Sequence, residues 1–74
     1  MKRDLRLFGE RVRAIRRAKQ MSQEELAAAS DLDRSYMGGV ERGERNVSLL
    51  NILKIAKGLQ VRPSQLLEVF DAKR

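Results

Sequence analysis

Apolar and polar positions along this chain recur with the spacing of helices. Leu5, Phe8, Val12 and Ile15 lie three or four residues apart, which predicts an amphipathic helix from about Asp4 to Lys19 with arginines on its wet faces. Ser22 followed three residues later by Glu25 is a capping box, and it opens a second helix at Gln23 that should end near Ser30. Asp33 is the next capping side chain. A third helix follows it to Glu41 or Arg42 and stops before Gly43, whose missing Cβ suits a left-handed residue. Residues 44–47 read as a loop. Ser48 caps a fourth helix in which Leu49, Ile52, Ile55, Ala56 and Leu59 form the inward stripe, and Pro63 opens a short fifth helix carrying Leu66, Leu67 and Phe70. No segment alternates with β-branched enrichment, and no internal repeat, low-complexity tract or linker is visible. The expected architecture is all-α: a compact five-helix bundle forming a single domain over residues 1–74.

A core drawn from 74 residues is marginal unless the helices pack efficiently or a second subunit adds buried area, so oligomerisation is expected. With neither cysteine nor histidine, the chain has no disulfide and none of the usual zinc ligand sets, and a reducing cytoplasm fits it. Charges flank the short apolar pairs between Met1 and Phe8, so the apolar run of a signal peptide is missing, and no span reaches membrane length. The expectation is a soluble cytoplasmic protein with no membrane, metal, cofactor or small-molecule ligand. Enzyme activity is disfavoured as well, because no serine has an evident base beside it and neither a Gly-rich phosphate loop nor a paired-carboxylate motif occurs. The formal charge of +6 points instead to a polyanionic partner. It is concentrated at one end: in residues 1–20, Lys2, Arg3, Arg6, Arg11, Arg13, Arg16, Arg17 and Lys19 face only Asp4 and Glu10, an excess equal to that of the whole chain.

The second and third predicted helices, joined by a tight polar turn, form a helix-turn-helix over about residues 23–42. In that motif the start of the second helix enters a DNA major groove, and here it carries Arg34, Ser35 and Tyr36. Double-stranded DNA is the expected partner. Arg34 can present two parallel donors to guanine O6 and N7, a contact worth about 1–3 kcal/mol in discrimination; its alternative is a solvated or phosphate-paired arginine. Ser35 suits either a base edge or an extension of the helix cap. Tyr36 suits a phenol donating to a phosphate or a ring packed over the turn. Gln23 opens the first helix of the motif, where free amides favour an anion, and reads as a phosphate ligand or a plain surface glutamine. Gly38 and Gly39 each cost up to about 1 kcal/mol relative to Ala inside a helix. Close approach to the bases at Gly38 and close helix packing at Gly39 are the roles that would offset this.

Several pieces of the chain resemble, in order and spacing, the Cro/C1-type (XRE) helix-turn-helix family of phage repressors and bacterial regulators. They are Phe8-Gly9-Glu10-Arg11-Val12-Arg13, Ser22-Gln23-Glu24-Glu25-Leu26-Ala27, Val40-Glu41-Arg42-Gly43, Ser48-Leu49 and Ile55-Ala56. Within that family, Leu32-Asp33-Arg34-Ser35-Tyr36 together with Glu41-Arg42-Gly43-Glu44-Arg45-Asn46 is similar to the controller proteins of restriction-modification systems, small dimeric regulators that bind operators upstream of their own gene and the endonuclease gene. The resemblance implies a lambda-repressor-like fold and a role in transcription regulation. It further implies that the loop holding Arg45 and Asn46 follows the DNA backbone, with phosphate or minor-groove contact set against simple solvation. It also implies that Arg16 and Glu41 form a structural ion pair across helices. The chain departs from the family's frequent glycines at the ends of helices one and four, where it has Gln20 and Gln60. Both should then sit at positive φ, at a cost of roughly 1 kcal/mol each. Gly38 also replaces a side chain that many relatives carry, which shortens the contact set.

Leu50 and Leu53, three apart and outside the inward stripe of the fourth helix, need cover. A homodimer seam made by the helices at about residues 48–59 and 63–71, with Val69 and Phe70 adding to it, supplies that cover, and burial within the monomer is the alternative. The expected function is a homodimeric, sequence-specific regulator on a pseudo-palindromic operator. Its competitor is an antitoxin-type interaction module that neutralises a partner and autoregulates. The short stretch after Phe70 counts against a separate partner-binding tail.

Overall fold

The structure, a computed structural model, describes residues 2–71. The expected short stretch after Phe70 falls mainly on residues 72–74, outside the described residues. Five helices follow one another, with no strand among the described residues: α1 (Lys2–Ala18), α2 (Gln23–Ala29), α3 (Arg34–Glu41), α4 (Leu49–Leu59) and α5 (Pro63–Asp71).

Local chemistry sets where these helices start. Ser22 Oγ accepts from Glu25 N at 3.0 Å while Glu25 Oε1 accepts from Ser22 N at 2.7 Å, completing the capping box. One Asp33 carboxylate oxygen accepts from the amides of Ser35 and Tyr36 at 3.0 and 3.3 Å, and Ser48 Oγ accepts from Asn51 N at 3.2 Å. Each cap satisfies amides that have no partner inside the helix. The helix ends also follow expectation: Gln20 has φ 60°, Gln60 has φ 59° and Gly43 has φ 76°. Asp31, at φ 55°, is a further left-handed residue. It sits in the turn between α2 and α3, where a short polar side chain tolerates this backbone.

α1 packs against α3 and α5, α2 against α3 and α4, and α4 against α5. Phe8, Val12, Leu26, Met37, Val40, Ile55, Leu59 and Leu66 meet in one buried cluster, and each large apolar side chain buried this way stabilises the fold by roughly 1.5–3 kcal/mol. Leu49 is not part of it. At about 100° per residue, Leu49 lies about 70° from the middle of the line through Ile52, Ile55, Ala56 and Leu59. That turns it toward Leu50 and Leu53, and it is 69% exposed where Leu50 is 70% and Leu53 42%. Gly39 is likewise not a helix-packing position, because a Cβ there would stand 3.0 Å from Cγ of Arg45, a loop side chain. The close helix approaches are made by Gly9, against the Val40 and Glu41 carbonyls of α3, and by Gly58, against Ser30 at the end of α2.

Candidate nucleic-acid interface

Met37 and Val40 anchor α3 in the core, which leaves Arg34 and Ser35 exposed on its first turn. Gly38 follows Arg34 by one turn on the same face. A Cβ at Gly38 would stand 3.1 Å from Arg42 Nη1, 3.2 Å from Arg34 Nη1 and 3.7 Å from Gln23 Oε1. Two guanidinium groups and an amide oxygen thus converge over a notch in the helix. Sequence reasoning does not single out Arg42, although its spacing of four from Gly38 and eight from Arg34 is an available signal. Each arginine has a carboxylate neighbour, Glu24 at 3.5 Å from Arg34 Nε and Glu44 at 3.1 Å from Arg42 Nε. These pairs are exposed, so they are weak and yield to a better-placed anion.

Of the roles considered for Tyr36, the structure shows the packed ring. Its ring packs against the core, while Oη accepts from Asn51 Nδ2 at 3.0 Å and keeps its own proton to donate. The Arg45 guanidinium lies 5.8 Å from the ring centroid, which folds the loop after α3 back onto that helix and leaves Asn46 exposed within it.

Behind this surface, the Arg16 and Glu41 pair implied by resemblance is formed. Arg16 donates to Glu41 from Nε at 2.6 Å and from Nη2 at 3.0 Å, and to the Met21 carbonyl from Nη1 at 2.8 Å. Gln23 Nε2 donates to Glu41 Oε1 at 2.9 Å. Gln23 is therefore no plain surface side chain: one of the two hydrogens of its NH2 is engaged inside the network, and its oxygen faces the Gly38 notch. Burial pushes the Glu41 carboxyl up, but hydrogen bonds from Arg16 and Gln23, with the charges of Arg16 and Arg13, outweigh it and hold the group below the usual carboxylate range. The hydrogen bond to Glu41 raises Arg16 in turn, against the opposing effect of desolvation.

The apolar residues expected at a seam differ in their freedom. Leu50 and Leu53 are exposed and are joined by Leu49 and by Leu67, while Val69 and Phe70 are half-buried. Phe70 packs on its own core and lines a shallow apolar cleft with Leu5, Phe8, Val47, Ile52 and Leu67. Among the described residues, no cluster of His, Cys, Asp or Glu is arranged to hold a metal, and no helix is long and apolar enough to cross a membrane.

Residues 12–66 match the family described as helix-turn-helix. Control protein C.BamHI of Bacillus amyloliquefaciens is 57% identical over 63 residues, covering 84% of this chain and 78% of its own. The chain belongs to the helix-turn-helix family of control proteins. A second control protein, C.MunI of Mycoplasma sp, is 47% identical over 60 residues, with 80% of this chain and 81% of its own covered. Among solved structures, the restriction-modification controller protein C.AhdI from Aeromonas hydrophila superposes with a TM-score of 0.84 at 62% identity, over 85% of this chain and 96% of its own. The controller protein C.Esp1396I, solved as a tetramer in complex with its natural 35 base-pair operator, gives a TM-score of 0.84 at 36% identity, over 93% of this chain and 91% of its own. The all-α fold and the resemblance read from the sequence are borne out by these control proteins.

Proposed function

We propose that this chain is a controller-type transcription regulator, acting in the cytoplasm, that binds a pseudo-palindromic operator in double-stranded DNA as a homodimer. The observation that carries the reading is one face of α3 and its C-terminal cap, where Arg34, Ser35 and Arg42 are exposed and the guanidinium groups of Arg34 and Arg42 lie over Gly38. Set into a major groove, this face brings Arg34 and Ser35 to base edges, and Gly38 lets a base approach the helix backbone. Gln23, Tyr36, Arg45 and Asn46 flank the face and are assigned to phosphates, where they fix register without reading sequence. The operator-bound tetramer of C.Esp1396I supports the reading.

Homodimerisation is assigned to Leu50 and Leu53, extended by Leu49 and Leu67 and edged by Val69 and Phe70. An isologous seam presents the same patch from both subunits, and it would hold two copies of α3 about 34 Å apart, one DNA turn. The role is binding and not catalysis, in keeping with a chain without histidine or cysteine. Selection of bound sequences from a random duplex library tests the proposal. It predicts paired inverted half-sites, and enrichment of a single asymmetric site, or of none, would contradict it.

A further inference from the structure

α1 sorts its cations by face. Arg11 donates to the Gln65 carbonyl at 2.8 Å and pairs with Glu68 of α5 at 3.2 Å, and Arg16 is buried with Glu41. Lys2, Arg6, Arg13 and Arg17 are spaced by four, seven and four residues, which sets them on one side of the helix. All four are exposed and, among the described residues, none takes part in an ion pair. Glu10 is the single carboxylate in this stripe, one turn from both Arg6 and Arg13.

The stripe borders the face already described. Arg6 lies against the end of α3, where a Cβ on Gly43 would stand 2.7 Å from Arg6 Cα. The charge of Arg13 acts on Glu41, which in turn binds Gln23 at the start of α2. From Arg6 to Arg17 the helix rises about 16 Å, close to the axial rise of about five nucleotides on one strand. The stripe contains no apolar side chain. A protein partner would want an apolar or aromatic centre in its contact, whereas a phosphate strand needs only a row of unpaired cations such as this one.

We infer that Arg6, Arg13 and Arg17, continued by Lys2, lie along the phosphate backbone of DNA flanking each half-site, a contact line that adds affinity and reads no bases. The inference rests on the DNA-binding reading above and extends its footprint.

The test is equilibrium binding by fluorescence anisotropy, over salt from about 50 to about 200 mM. It uses the selected operator with flanks and the same operator trimmed to its half-sites. Each phosphate that is no longer neutralised should make the slope of log affinity against log salt shallower by about 0.9, removing about 3.5-fold of the affinity drop across that range. The triple variant Arg6→Gln, Arg13→Gln, Arg17→Gln should show this shallower slope on the flanked duplex with base preference unchanged, and should match the unsubstituted protein on the trimmed one. Glu10→Gln should tighten binding to the flanked duplex, a direction that damage to the fold does not imitate. A triple variant with the original slope, or a Glu10→Gln protein bound no tighter, would overturn the stripe's role while leaving operator recognition standing. Absence of sequence preference in the unsubstituted protein would overturn both.

Discussion

Arg16 and Glu41, 25 residues apart in the chain, meet through two hydrogen bonds of 2.6 and 3.0 Å, and the same carboxylate accepts from Gln23. One group thereby ties α1, the start of α2 and the end of α3, so the orientation of the recognition helix is coupled to a shielded ion pair. The side chains are only 10% and 2% exposed. Removing one partner strands the other charge, and Glu41→Gln should cost about 3–5 kcal/mol. Urea denaturation measures this. The double variant Arg16→Met, Glu41→Leu should lose much less than Glu41→Gln alone, because it leaves no buried charge unpaired.

Acid should weaken the same tie. The Glu41 carboxyl is held below its ordinary value in the folded chain, so the unfolded chain takes up this proton at a higher pH than the folded one. The resulting stability is complete above the usual carboxylate range near pH 4.3 and is lost as pH falls through the lower folded value. Melting curves from neutral pH into acid should show the unsubstituted protein and Glu41→Gln drawing together below about pH 4. A gap that stays constant down to acid would contradict this linkage.

Gly38 should separate stability from binding. Replacing Gly by Ala inside a helix gains up to about 1 kcal/mol, and the new Cβ would press only on the far ends of the flexible Arg34 and Arg42 side chains. Gly38→Ala should therefore melt at or above the original temperature yet bind operator more weakly. Gly9→Ala, whose Cβ meets the backbone of α3, should instead lose about 1–3 kcal/mol by overpacking.

Helix starts are legible in the sequence because capping is local: Ser22 with Glu25, Asp33 and Ser48 each act within three residues. The buried Arg16 and Glu41 pair and the left-handed Gln20 and Gln60 become legible through family resemblance, since no short-range spacing encodes them. Leu49 departs from the expected inward stripe because a helical period alone does not say where an apolar stripe ends, which depends on the neighbours that cover it. Arg42 escapes sequence reasoning because it stands just past the end of α3 and reaches back over Gly38. The contact between Tyr36 and Asn51 joins two helices across the loop, and Asp31 takes its left-handed backbone from the turn geometry; neither leaves a pattern in the residues alone.

The exposed leucines should be the dimer seam. Leu53→Glu puts like charges opposite each other across a two-fold axis and should yield folded monomers in sedimentation, with operator affinity sharply reduced because simultaneous engagement of two half-sites is lost. A Leu53→Glu protein that stays dimeric would place the seam elsewhere.

The central claim is that the first turn of α3 reads bases while its surroundings grip the backbone. Its most direct test is the affinity of Arg34→Ala and of Gln23→Ala for a set of operators, each altered at one base pair. Arg34→Ala should lose about 1–3 kcal/mol on the best operator and lose its preference at one base pair of each half-site. Gln23→Ala should weaken every duplex about equally. A uniform loss for Arg34→Ala, or an altered base preference for Gln23→Ala equal to that of Arg34→Ala, would contradict the account.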